Sequence, residues 1–163
     1  MKALQSDYKS KPVNSRGENM IKIIIVAHGN FPDGILSSLE LIAGHQEYVA
    51  GINFIAGMSS NDVRVALQRE VIDFKEILVL TDLLGGTPFN VSSALSVEYT
   101  DKKIKVLSGL NLSMLMEAVL SRTMFEHVDD LVDKVITSSR EGIVDFSNCL
   151  ATQIAEVTFE GGI

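Results

Sequence analysis

Ile77-Leu78-Val79-Leu80-Thr81-Asp82-Leu83-Leu84-Gly85-Gly86-Thr87-Pro88-Phe89-Asn90 passes from an unbroken apolar run into an acid, a glycine pair and a helix start. A second stretch has the same grammar. Ile21-Lys22-Ile23-Ile24-Ile25-Val26-Ala27 leads directly into His28-Gly29. Short runs rich in β-branched residues, without polar alternation, read as parallel strands buried on both faces. Open parallel sheets gather ligands and chemistry beyond the carboxyl ends of their strands. The two runs therefore predict that His28 and Asp82 converge on one functional edge.

Working outward, strands alternate with helical patterns. Ile35, Leu36, Leu39 and Ile42 mark one face of a helix that Gly44 ends. A second strand lies within 48–56, around Gly51-Ile52-Asn53-Phe54-Ile55. Ser59, Ser60 and Asn61 are capping types, and Val63, Leu67, Val71 and Phe74 follow at helical spacing. The third strand is Glu76 to Thr81. Thr87 suits an N-cap and Pro88 the first helical position, for a helix reaching about Tyr99. Lys103 to Leu107 is a fourth strand. Leu112, Leu115, Met116, Val119 and Leu120 then form one helical stripe, and Val128, Leu131, Val132, Val135 and Ile136 another. The expected architecture is α/β: one domain, a mostly parallel sheet of about four strands, and helices on both faces. Ile143-Val144-Asp145-Phe146 and Ile154 to Phe159 alternate loosely, as edge strands do. Such a tail strand is expected to pair antiparallel, on a neighbouring subunit.

Bulk properties narrow the function. The 163 residues carry a net charge of −7, which argues against nonspecific nucleic-acid binding and suits a basic protein partner. No apolar stretch approaches the length needed to span a bilayer. The single cysteine, Cys149, permits no intrachain disulfide and fits a reducing, cytoplasmic setting. No cysteine spacing suggests a metal. Residues 1–19 are polar and aperiodic. Lys2, Lys9, Lys11 and Arg16 against Asp7 and Glu18 give them +2, leaving −9 on the rest. They read as a disordered tail, an expression artefact or an upstream start, with a domain over 20–150 and an extension at 151–163.

A neutral imidazole is a good nucleophile near pH 7. A carboxylate that accepts a hydrogen bond from one ring N–H fixes the other nitrogen as the one free to attack. Asp82 is the candidate orienter for His28. Gly85-Gly86 permits close backbone approach, and the helix after Thr87 offers N–H groups and a positive dipole end to an anion. Nucleophile, orienter and anion donors together suit a phosphoryl group. Each part has a plainer reading. A histidine after a strand is more often structural, although Gly29 frees space at the ring. The Gly-Gly-Thr-Pro turn lacks the Lys of a P-loop and the third Gly of a dinucleotide fingerprint. His45 and His127 read as surface residues. Met114, Met116 and Met124 read as core filling. Glu126, Asp129, Asp130 and Asp133 read as a solvated helix face near its N-terminus.

Three segments, in order, resemble one family. Ile23-Ile24-Ile25-Val26-Ala27-His28-Gly29 is similar to the opening of mannose-type enzyme IIA proteins of the bacterial sugar phosphotransferase system. Thr81-Asp82-Leu83-Leu84-Gly85-Gly86-Thr87-Pro88-Phe89-Asn90 resembles their second signature. Ser108-Gly109-Leu110-Asn111-Leu112-Ser113-Met114-Leu115 resembles their third. The resemblance spans roughly 20–146. It implies a transient phosphohistidine at His28, an aspartate partner at Asp82, and phosphate contacts at Gly29, Gly86 and Thr87. It implies phosphate arriving from the phosphocarrier HPr and leaving to a IIB protein or domain, which serves membrane permease subunits. It also implies a homodimer in which a strand near 143–148 crosses between subunits. No metal or diffusible cofactor is needed, because the ring is the carrier. Asn30-Phe31-Pro32-Asp33-Gly34 departs from the family pattern beside the active loop. No Ala/Pro-rich hinge or IIB sequence follows, so a free-standing IIA is expected. Competing readings are a regulatory module controlled by phosphorylation of His28, the phosphotransfer subunit of dihydroxyacetone kinase, and a small hydrolase using His28 and Asp82.

Overall fold

The structure is a computed structural model and describes residues 20–147. The expected tail at 1–19, the extension at 151–163, Cys149 and the strand over 154–159 lie outside the described residues. Four strands form one parallel sheet: β1 (Lys22–His28), β2 (Val49–Phe54), β3 (Glu76–Thr81) and β4 (Lys103–Leu107). Five α-helices accompany them among the described residues: α1 (Phe31–Ala43), α2 (Ser60–Val71), α3 (Thr87–Glu98), α4 (Leu112–Ser121) and α5 (Val128–Glu141).

The sheet order is β2-β1-β3-β4. The chain steps from β1 to one side for β2, then crosses to the other side for β3. A topological switch point therefore lies between β1 and β3, the place where such sheets open a crevice. Side chains of the central strands alternate between two cores. Ile23, Ile25, Leu78 and Leu80 face the core shared with α1, α4 and α5. Ile24, Val26, Ile77 and Val79 face the core shared with α2 and α3. Both sets are fully buried, which is why the runs are apolar at every position and not at alternate ones.

Several expectations need correction. Ile42, placed on the buried stripe of α1, is 58% exposed. It lies in the last turn before Gly44, where the helix has Ile35 and Leu39 as its seated residues. Leu120 is also exposed, and the smaller Ala118 takes the inward place on α4. Met124 is 73% exposed instead of core. It ends a 3₁₀ turn, Arg122–Met124, whose three-residue period seats Arg122 inward and turns Met124 out. Arg122 is buried and donates to the carbonyls of Glu47 (2.6 Å) and Tyr48 (3.3 Å), tying this turn to the loop before β2. The expected strand Ile143–Phe146 has no ladder partner among the described residues. Gly142 ends α5, 143–145 are irregular, and a helical turn begins at Phe146. Ile143, Val144 and Phe146 are exposed.

Candidate active site

β1 delivers His28 as its last residue, and β3 ends one residue before Asp82. The two meet across the switch point. The backbone N–H of His28 donates to Asp82 Oδ2 at 3.0 Å, and ring Nδ1 lies 2.9 Å from the same oxygen. An ionised carboxylate only accepts, so Nδ1 carries the proton and Nε2 is left with a free lone pair. The His28 side chain remains 43% exposed. The other carboxylate oxygen, Oδ1, accepts from the N–H of Leu83 at 2.9 Å. Partial burial pushes the Asp82 carboxyl upward. The hydrogen bonds and charge of His28, together with the Leu83 N–H, outweigh it and hold the group below its ordinary value of 3.8.

The segment after β4 fixes Asp82 from behind. Gly109 N–H donates to the Asp82 carbonyl (3.2 Å) and Leu110 N–H to that of Thr81 (3.0 Å). Gly109 has φ +81°, a region that favours glycine. Asn111 then caps α4 through the N–H of Met114 (2.8 Å), and its amide donates to the Ser139 carbonyl (3.0 Å). The third sequence signature thus has a physical role: it carries the aspartate and locks α5 to α4.

The anion donors differ from expectation in detail. Thr87 is not the N-cap of α3. Gly86 is, with extended backbone (φ −68°, ψ 164°), and Pro88 occupies the second helical position. A glycine cap has no side-chain oxygen to cover the first helical amides, and those of Thr87 and Phe89 have no partner among the described residues. The Thr87 hydroxyl has no hydrogen bond among the described residues. The N–H groups of Gly29 and Gly86 are already used, by the carbonyls of Phe54 (2.9 Å) and Leu83 (3.1 Å). Gly29 matters for its backbone: φ is +60° and an added Cβ would meet nothing. Gly86 matters for room: an added Cβ would lie 2.9 Å from Cε1 of His28.

Sequence reasoning missed two further features. Phe54 ends β2, pairs with His28 in register and packs edge-on against its ring, with centroids 5.5 Å apart at 64°. Asn53 donates to Asp33 at 2.6 Å and ties the first turn of α1 to β2. Neither carries a motif. A Phe inside an ordinary apolar strand gives no signal, and an Asn–Asp contact twenty residues apart is visible only in three dimensions. Exposed apolar side chains follow the two catalytic candidates and Phe54 closely in sequence: Phe31 after His28, Ile55 after Phe54, and Leu83 and Leu84 after Asp82, the last 70% exposed. An open groove lined by Phe31, Ile35, Ser38, Leu110 and Leu112 runs between α1 and the segment after β4. His45 and His127 are on the surface away from this edge, as expected. Glu126, Asp129, Asp130 and Asp133 are exposed, and Asp129 pairs with Lys105.

Residues 22–136 match the family described as PTS system fructose IIA component. The chain belongs to that family. A mannose-specific EIIAB component of Escherichia coli is 32% identical over 126 residues, 76% of this chain and 38% of that protein. This chain therefore spans well under half of that relative. A fructose-specific EIIA component of Bacillus subtilis is 29% identical over 75% of this chain and 84% of its own length. A phosphotransferase system component EIIA from Streptococcus agalactiae, known as a crystal structure, is 98% identical, with TM-score 0.79 over 80% of this chain and all of that one. A mannose/sorbose-specific IIA subunit from Enterococcus faecalis superposes with TM-score 0.71 at 28% identity, over 78% of this chain and 95% of its own.

Proposed function

We propose that this IIA component is a cytoplasmic phosphoryl relay in which Nε2 of His28 takes the phosphoryl group from HPr and gives it to a IIB protein or domain. The observation that carries the reading is the single carboxylate oxygen of Asp82 engaging both the backbone N–H and Nδ1 of His28, with the ring half exposed. The Nε2 lone pair attacks phosphorus, and the bond from phosphorus to the donor's ring nitrogen breaks with its electrons returning to the donor. The imidazolium so formed keeps its Nδ1 proton against Asp82, whose charge offsets the cation. The N–H of Thr87, its hydroxyl and the N–H of Phe89 are the donors for the phosphoryl oxygens. In the IIB step the same groups release the phosphoryl group. Membrane permease subunits are served indirectly, through IIB.

A homodimer fits the same reading. Ile143, Val144 and Phe146 are apolar and exposed beside the end of α5, and β4 is an edge strand among the described residues. A segment of this kind exchanged with a second copy would cover both.

The test is incubation with phosphoenolpyruvate, enzyme I and HPr, followed by intact mass. The relay predicts one added phosphoryl group, removed on addition of a cognate IIB. Removal by a dihydroxyacetone kinase subunit instead would assign the chain to that branch. A stable phosphorylated form that captures a partner without losing phosphate would make it a regulatory module.

A further inference from the structure

We propose that Phe54 and Gly86 are positioning residues that form a slot around the His28 imidazole and keep Nε2 as the only ring nitrogen a phosphoryl donor reaches. The inference deepens the relay reading and rests on it for its function, but the slot itself is testable on protein that has never met a donor.

The slot follows from three boundaries. Asp82 closes the Nδ1 edge at 2.9 Å. Gly86 closes the Cε1 corner so tightly that an added Cβ would sit 2.9 Å from Cε1 and 3.2 Å from the Leu83 carbonyl oxygen. A separation below 3.0 Å forces something to move: the His28 ring at 2.9 Å would have to give, because the Leu83 carbonyl oxygen at 3.2 Å is backbone and limits retreat on the other side. Gly86 has a φ of −68°, which any residue adopts, so its backbone does not demand glycine. The demand comes from the ring. Gly85 next to it is the opposite case, with φ +77° and open space around it. Phe54 supplies the third boundary through its edge-on ring, and its carbonyl holds the N–H of Gly29 just after the histidine.

A half-exposed imidazole has two torsions, and rotation of either carries Nδ1 off Asp82. A ring that swings loose would offer both nitrogens and both tautomers. Asp82 alone restrains one edge through one contact. Phe54 and Gly86 restrain the body of the ring, so the tautomer set by Asp82 is also a fixed direction of attack. The two act together: Asp82 sets which nitrogen is free, and the slot keeps the ring against Asp82 and so fixes where that nitrogen points.

The experiment uses full-length protein with ¹⁵N-labelled histidine. In the wild type, imidazole ¹⁵N shifts of neutral His28 are expected to report one tautomer, protonated at Nδ1, with nuclear Overhauser contacts between its ring protons and those of Phe54. Phe54→Leu and Gly86→Ala are expected to move the shifts toward the averaged values of free imidazole and to slow phosphoryl uptake from phospho-HPr about two- to tenfold and about tenfold. Phe54→Tyr, which keeps the ring, restores both readouts. Far-UV circular dichroism and the amide spectrum check the fold of each variant. Unchanged ring shifts in folded Phe54→Leu and Gly86→Ala, or no Overhauser contact in the wild type, would overturn the slot. Wild-type protein that shows the single tautomer yet takes no phosphoryl group would overturn the relay and leave the slot standing.

Discussion

The helices α2 and α3 both start just beyond the carboxyl edge of the sheet, and their first turns are finished in opposite ways. At α2, Ser59 accepts from the N–H of Asp62 (3.3 Å), while the Asp62 carboxylate accepts from the N–H of Ser59 (2.7 Å). This capping box closes both ends of the first turn and leaves little for a visitor to bind. At α3, the cap is Gly86, with no side-chain oxygen, and the amides of the first turn stay open next to His28. The lesson is that the same fold position becomes structural or functional according to whether its backbone donors are satisfied from within.

Substitutions test that contrast. The largest effect is expected from His28→Ala: no phosphoryl uptake from phospho-HPr, with an unchanged circular dichroism spectrum. Labelling retained in that variant would remove His28 from the chemistry. Next, Asp82→Asn keeps the acceptor but loses the anionic clamp, and transfer is expected to slow roughly 10²-fold in single-turnover assays. An unchanged rate would make Asp82 a bystander. The pH dependence has a defined sign. A carboxyl held below its ordinary value contributes stability that is fully present above 3.8 and is lost as pH falls through its folded value. Acid unfolding curves of wild type and Asp82→Asn are therefore expected to differ near neutrality and converge well below 3.8.

Smaller effects sharpen the comparison of the two helix starts. Thr87→Val removes one hydroxyl donor while keeping the shape, and transfer is expected to fall about ten- to a hundredfold with stability little changed. Ser59→Ala is expected to do the reverse. It should cost about 1 kcal/mol in urea denaturation and leave transfer untouched. If Ser59→Ala also slowed transfer, the division between a closed and an open helix start would fail.

Much of this was legible in the sequence because the central strands are buried on both sides. The ends of β3 and β4 fell where the apolar runs stop, and His28 and Asp82 stood where a parallel sheet puts its chemistry. The features that escaped have short-range or three-dimensional causes. Thr87 has a capping side chain, yet the backbone turns extended one residue earlier, at Gly86. The need for glycine at Gly86 is set by the ring of a residue 58 positions away in the chain. Ile42, Leu120 and Met124 have the periodicity of buried residues but fall near helix ends, where periodicity outlasts the packing. Ile143 to Phe146 has the alternation of a strand without a ladder partner among the described residues.

The relay stands or falls on one atom, Nε2 of His28. Protein labelled with ¹⁵N-histidine, phosphorylated by phosphoenolpyruvate, enzyme I and HPr, and read by phosphorus–nitrogen coupling identifies the acceptor atom directly. Coupling to Nε2 of His28 alone is the predicted result. Coupling to Nδ1 of His28, or to either ring nitrogen of His45 or His127, would contradict the account.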